Sequence, residues 1–175
     1  CRNGSRSVAA CCDARLFSLI TYAEELAFAR PRTTCWHQKR PQTPKEKRTV
    51  ASWVEYIVPA RCVQPRRCDR PYRSLTCRFF PLEPYIDARG RFIGLTYVYG
   101  GARHCPLIRR EVDLRQEFVD QSIAIWRLIF AAYPDERGCY TDTSRRLRAR
   151  FARQGRRIRI FRPTASAAIL ARKFA

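Results

Sequence analysis

Methionine is absent from this chain, asparagine occurs once, at Asn3, and histidine only at His37 and His104. Two distant histidines leave little for a histidine-based catalytic or metal set. Seven glycines are spread thinly, with no GxGxxG, no Walker loop and no HExxH, so the usual phosphate-cradling and zinc-protease patterns are missing. No apolar run approaches the roughly 18 residues that would span a bilayer, so no transmembrane segment is expected. Acids are the most telling shortage: 15 against 35 lysines and arginines, a formal net charge of +20. Asp69, Glu111 and Glu136 sit directly beside arginine, which reads as charge balancing on a basic surface. With no nucleophile, base and orienter in sight, the expectation is a protein that is not an enzyme.

Lacking methionine even at position 1, the chain reads as an incomplete translation product or as one that begins at a processing site. Its opening, CRNGSRSVAACCDARLFSLI, has the Arg-, Ser- and Ala-rich make-up of an organelle transit peptide or the tail of one. An apolar content of 46% is ordinary for a chain that buries a core. Cysteine is abundant, with nine, but the number is odd and no CxxC occurs. The nearest approach to a metal set is Cys62, Cys68 and Cys77 with His104 downstream. A zinc site usually needs two close pairs aimed by tight turns, so the reading is no metal and reduced, partly buried thiols.

Apolar spacing predicts a helix over 7–30, stopped by Pro31. Residues 31–49, with three prolines and a surplus of positive charge, read as a basic extended arm in which Trp36 anchors on the core. VASWVEYIV (50–58) fits either strand or helix. A basic loop covers 61–75, and LTCRFF and RFIGLTYVY read as two strands of a hairpin. The strongest helix is 113–132, with Asp113 and Gln116 as a capping-box pair. PDERG then reads as a break. A second helix runs from an N-cap at Thr143 to Gln154, with Gly155 as its stop, and RRIRIFR as a short strand. The fold class is therefore α+β with helix dominant: an N-terminal helix (1–30), a basic Pro-rich arm (31–49), a small β-containing region (50–106) and a helical module with a basic tail (107–175).

The functional signal is arginine. SRRLRARFARQGRRIRIFR, residues 144–162, holds nine arginines in nineteen residues and no acid. They are Arg145, Arg146, Arg148, Arg150, Arg153, Arg156, Arg157, Arg159 and Arg162. Further basic clusters lie at 39–48, 61–73 and 103–115, interleaved with aromatics such as Tyr72, Phe79 and Phe161. Guanidinium groups pair with phosphates and stack on bases, and single-stranded RNA also stacks on aromatic rings. No RRM signature, KH loop or helix-turn-helix is present. The pattern points to an RNA-binding structural protein that lies on rRNA within a mitochondrial ribosome.

The C-terminal part also resembles the LYR family of mitochondrial accessory and assembly proteins. Ile125-Trp126-Arg127 stands where that family has Leu-Tyr-Arg, Tyr133-Pro134-Asp135 stands at its interhelical break, and residues 144–151, SRRLRARF, match its basic second-helix pattern. The resemblance implies a LYR-like helical hairpin and an acidic partner, acyl carrier protein. Arg127, Arg146, Arg148 and Arg150 would face that partner's carboxylates and its 4'-phosphopantetheine, with Phe151 near the acyl chain. The alternative is thus a LYR-type accessory subunit of a respiratory-chain complex or the ATP synthase. Either reading places the chain in a large assembly, in the mitochondrial matrix or on the matrix face of the inner membrane.

Overall fold

A computed structural model of the chain describes residues 19–63 and 69–165. The residues fall into two compact units: one of 1–80 with 103–106, the other of 81–102 with 107–175. Each carries its own three-stranded antiparallel sheet, so the fold is mixed helix and strand with small sheets and a C-terminal helical pair.

In the first unit β1 (Leu19–Tyr22) and β2 (Trp36–Gln38) flank β3 (Ile57–Cys62). The helix expected over 7–30 is thus corrected. Residues 7–18 lie outside the described residues, and 19–22 are strand, paired from Leu19↔Ala60 to Tyr22↔Ile57. Only α1 (Ala23–Ala29) is helical there. Leu19, Ile20 and Thr21 satisfy a sheet as well as a helix, and pairing with β3 decides between them. The arm expected over 31–49 is also corrected. It holds β2 and α2 (Pro44–Ala51), which begins with a full capping box: Thr43 accepts from the Glu46 N–H, and Glu46 accepts from the Thr43 N–H. Thr43-Pro44-Lys45-Glu46 is a start signal with Pro at the first helical position, where its missing N–H costs nothing. Trp36 is a core anchor, as expected, packed with Leu26, Ala29, Cys35 and Ala60. Its indole N–H donates to the Tyr72 carbonyl at 2.7 Å. LTCRFF is not a strand: Ser74 caps α3 (Leu75–Phe79), and Thr76 Oγ1 ties that helix to the Ile20 carbonyl of β1 at 2.6 Å.

The second unit places β5 (Phe92–Tyr97) between β4 (Leu82–Ile86) and β6 (Ile160–Phe161). The hairpin partner of β5 is therefore LEPYI, which two prolines had disguised as a connection. Its turn is fixed by Asp87, whose carboxylate accepts from the Arg89 and Arg91 N–H groups at 2.9 Å each, and by Gly90 at φ +74°. The short helix α4 (Pro106–Arg109) precedes α5 (Gln116–Ala132) and α6 (Pro134–Arg153). Helix α5 packs on β5 and α6 on β4.

Three sequence expectations are corrected in this unit. Asp113 does not cap α5; Arg115 occupies the N-cap with no side-chain bond, while Asp113 pairs with Arg159. PDERG is not a break, because Pro134 starts α6 and only Tyr133 separates the two helices. Thr143 is mid-helix, its hydroxyl donating to the Cys139 carbonyl at 3.0 Å. Gly155, at φ +61°, ends the helix as expected, and the short strand in RRIRIFR is β6. The core is built from Ile86, Leu95, Tyr97, Val119, Ile123 and Phe151, with Trp126, Phe130 and Tyr140 clustered near the α5–α6 junction.

Candidate nucleic-acid interface

Helix α6 sorts its residues by 3.6-residue periodicity. Ser144, Leu147 and Phe151 are buried against the sheet. Ser144 Oγ accepts the Ile86 N–H at 3.0 Å, and Phe151 packs on Tyr99 at a centroid distance of 4.7 Å with the rings tilted by 59°. On an adjoining face Arg146, Arg150 and Arg153 follow one another at i, i+4 and i+7, and so line up along the helix. They border an open groove of about 560 Å³ whose other walls are Glu83 of β4 and the Val98–Gly100 segment, with Thr143, Leu147 and Ala149. Arg146 and Arg153 are exposed, and no partner for either is found among the described residues.

The remaining arginines of the tract divide between scaffold and surface. Arg148 is turned inward, donating to the Ile86 carbonyl at 2.5 Å beside the Tyr85 ring. Arg145 is off the groove in an exposed pair with Asp142 at 2.9 Å. Arg156 bonds Glu111 at 3.2 Å and lies over Phe151. Arg159 pins β6 in place: its side chain holds Asp113 and the Glu111 carbonyl, and its backbone N–H donates to Tyr99 Oη at 3.2 Å. Arg157 and Arg162 are exposed next to β6. The tract expected to act as one binding surface is thus partly internal cement. Among the described residues, Arg146, Arg150, Arg153, Arg157 and Arg162 are the members without a hydrogen-bonded partner for their guanidinium groups.

Glu83 is the residue that sequence reasoning passed over. It projects from β4 beneath α6, and burial pushes its carboxyl up to about 7, offset in part by the Arg150 guanidinium. A lone acid in the apolar strand LEPYI was the available signal, but its burial depends on α6 lying above it. Burial likewise pushes the neighbouring Tyr140 hydroxyl up, with Glu136 and Glu83 adding to the effect.

The LYR-like residues have mixed placements. Trp126 is buried against Phe130 and Tyr140, Ile125 is exposed, and Arg127 is half-buried. Phe151 is 2% exposed. Of the loose metal set, Cys62, Cys77 and His104 are half-buried and Cys68 lies outside the described residues. Among the described residues no group of three or more His, Cys, Asp or Glu side chains is placed to hold a metal ion. No described helix is long and apolar enough to cross a membrane. Comparison with protein-family models, curated proteins and solved structures finds no match.

Proposed function

We propose that this chain is a non-catalytic structural protein that binds RNA within a large ribonucleoprotein assembly, with a mitochondrial ribosome as the setting. The observation that carries the reading is the line of Arg146, Arg150 and Arg153 beside an apolar-walled groove. Arginines spaced along one helix face match successive phosphates of a backbone, and an apolar wall accepts the faces of unstacked bases. Arg157 and Arg162 extend the basic surface past the end of α6.

A second reading, docking of acyl carrier protein in the manner of the LYR family, draws support from the C-terminal helical pair and from the same unpaired arginines. Phe151 weighs against it, because a side chain packed against Tyr99 and Arg156 is not free to meet an acyl chain. Titration of a labelled single-stranded RNA against the protein over 50–300 mM salt separates the two. RNA binding gives a steep linear fall of log K with log salt, about −0.7 for each phosphate contacted. Absence of RNA binding at the lowest salt, with retention of acyl carrier protein on a column, reverses the choice.

A further inference from the structure

We propose that the groove between α6 and the Val98–Gly100 segment takes one unstacked guanine, its N1–H and N2–H groups donating to the Glu83 carboxylate and its flanking phosphates lying on Arg146 and Arg153. The inference rests on the RNA reading above and names the base that the site selects.

The composition of the groove narrows the ligand. Three arginines on the rim repel a cation and attract an anion. One carboxyl among the lining residues repels a ligand that is anionic throughout. The occupant must therefore carry negative charge at one end and hydrogen-bond donors at the other. A nucleotide does so. An ionised carboxylate offers two acceptor oxygens and no donor, so it is best matched by two adjacent N–H groups. Guanine presents such a pair on its Watson–Crick edge. Adenine and cytosine present one amino group beside a ring acceptor, and uracil one N–H between two carbonyls, both of which set an acceptor against the carboxylate. Val98, Leu147 and Ala149 supply apolar walls for the faces of the ring. The volume of about 560 Å³ is within the range of ordinary ligand pockets. Gly100 lines the groove, and a Cβ added there meets nothing within 4 Å.

The charged and titratable groups around Glu83 are Arg146, Arg150 and Arg153 of α6, Tyr99 across the groove and Tyr140 of α6, and burial pushes both tyrosine hydroxyls up. Across the strand pair its neighbour is Thr96, which does not titrate. This unit contains no histidine. With the carboxyl pushed up to about 7, guanine selection is full at pH 8.5 and declines as protonation removes an acceptor below pH 7.

The test is fluorescence anisotropy at pH 8.5 and low salt with four single-stranded octamers: U8 and U8 carrying one central G, A or C. The wild type is expected to favour the G octamer by about 5- to 100-fold, the range of one good bidentate base contact. Glu83→Gln is expected to bring the affinity for the G octamer down to that for the A and C octamers. Gly100→Leu, a larger side chain on the lining of the groove, is expected to reduce the preference as well, so the result does not depend on one variant. Equal binding of all four octamers by the wild type overturns the guanine site and leaves the RNA reading intact. Failure to bind any octamer overturns the RNA reading. Free GMP, titrated by calorimetry, separates the sources: GMP binding without octamer binding assigns the guanine site to a free nucleotide, and tighter binding of the G octamer than of GMP assigns it to RNA.

Discussion

Glu83 illustrates at the scale of one residue how burial converts a surface-type side chain into a pH-dependent one. Its ordinary value is 4.5 and its folded value about 7, so the folded state holds its proton when the unfolded chain has released it. Stability from this group is complete below pH 4.5 and is lost as pH rises through 7, by about 3 kcal/mol at most. Glu83→Gln is therefore expected to gain stability over the wild type as pH increases, from near zero at pH 4.5 to about 2–3 kcal/mol at pH 8.5. Urea unfolding of both proteins at the two pH values checks this; a constant difference contradicts it. Gly94 is the other residue whose identity is dictated. Its φ is +152°, and a Cβ there would stand 2.2 Å from the Phe161 carbonyl oxygen. Gly94→Ala must push β6 off β5, at a cost of about 1–3 kcal/mol read from the same unfolding curves. Neither residue was legible beforehand. The burial of Glu83 depends on α6, and the constraint on Gly94 comes from a strand 66 residues later in the chain.

At the scale of the element, what was legible followed strong local signals. Helix α5 was found from its apolar stripe, the end of α6 from Gly155, and β5 and β6 from β-branched and aromatic runs. The start of α6 was missed because proline was read as a breaker, although Pro134 stands at the first helical position, where it is favoured. Helix α2 was missed for the same reason, its capping box hidden behind Pro41 and Pro44. Short segments such as β1 and α3 fit both periodicities, and only long-range contacts, Tyr22 to Ile57 and Thr76 to Ile20, decide them. Two α6 side chains hydrogen-bond β4 at Ile86, Ser144 to its N–H and Arg148 to its carbonyl. Ser144→Ala leaves the Ile86 N–H without an acceptor and is expected to cost about 1–3 kcal/mol, measurable as a fall in midpoint with unchanged m-value.

At the scale of the whole molecule, the excess of +20 is unevenly employed. Arg148, Arg156 and Arg159 serve the fold through Ile86, Glu111 and Asp113, while Arg146 and Arg153 have no partner among the described residues. The sequence displayed the charge but not this division, because it depends on which acids and carbonyls the chain brings within reach. A polyanion that neutralises the free set is expected to raise Tm in proportion to the logarithm of its concentration above Kd. The central claim is that the α6 face binds RNA, and the most direct measurement is the affinity of three proteins for one single-stranded RNA at 100 mM salt. Arg146→Glu with Arg153→Glu is expected to weaken binding at least 30-fold and to flatten the salt dependence. Arg137→Glu with Arg145→Glu, the same change of charge on the same helix but off the groove, is expected to lose less than 5-fold. Equal losses from the two variants would contradict a specific α6 site, because the arginines would then be acting only through net charge.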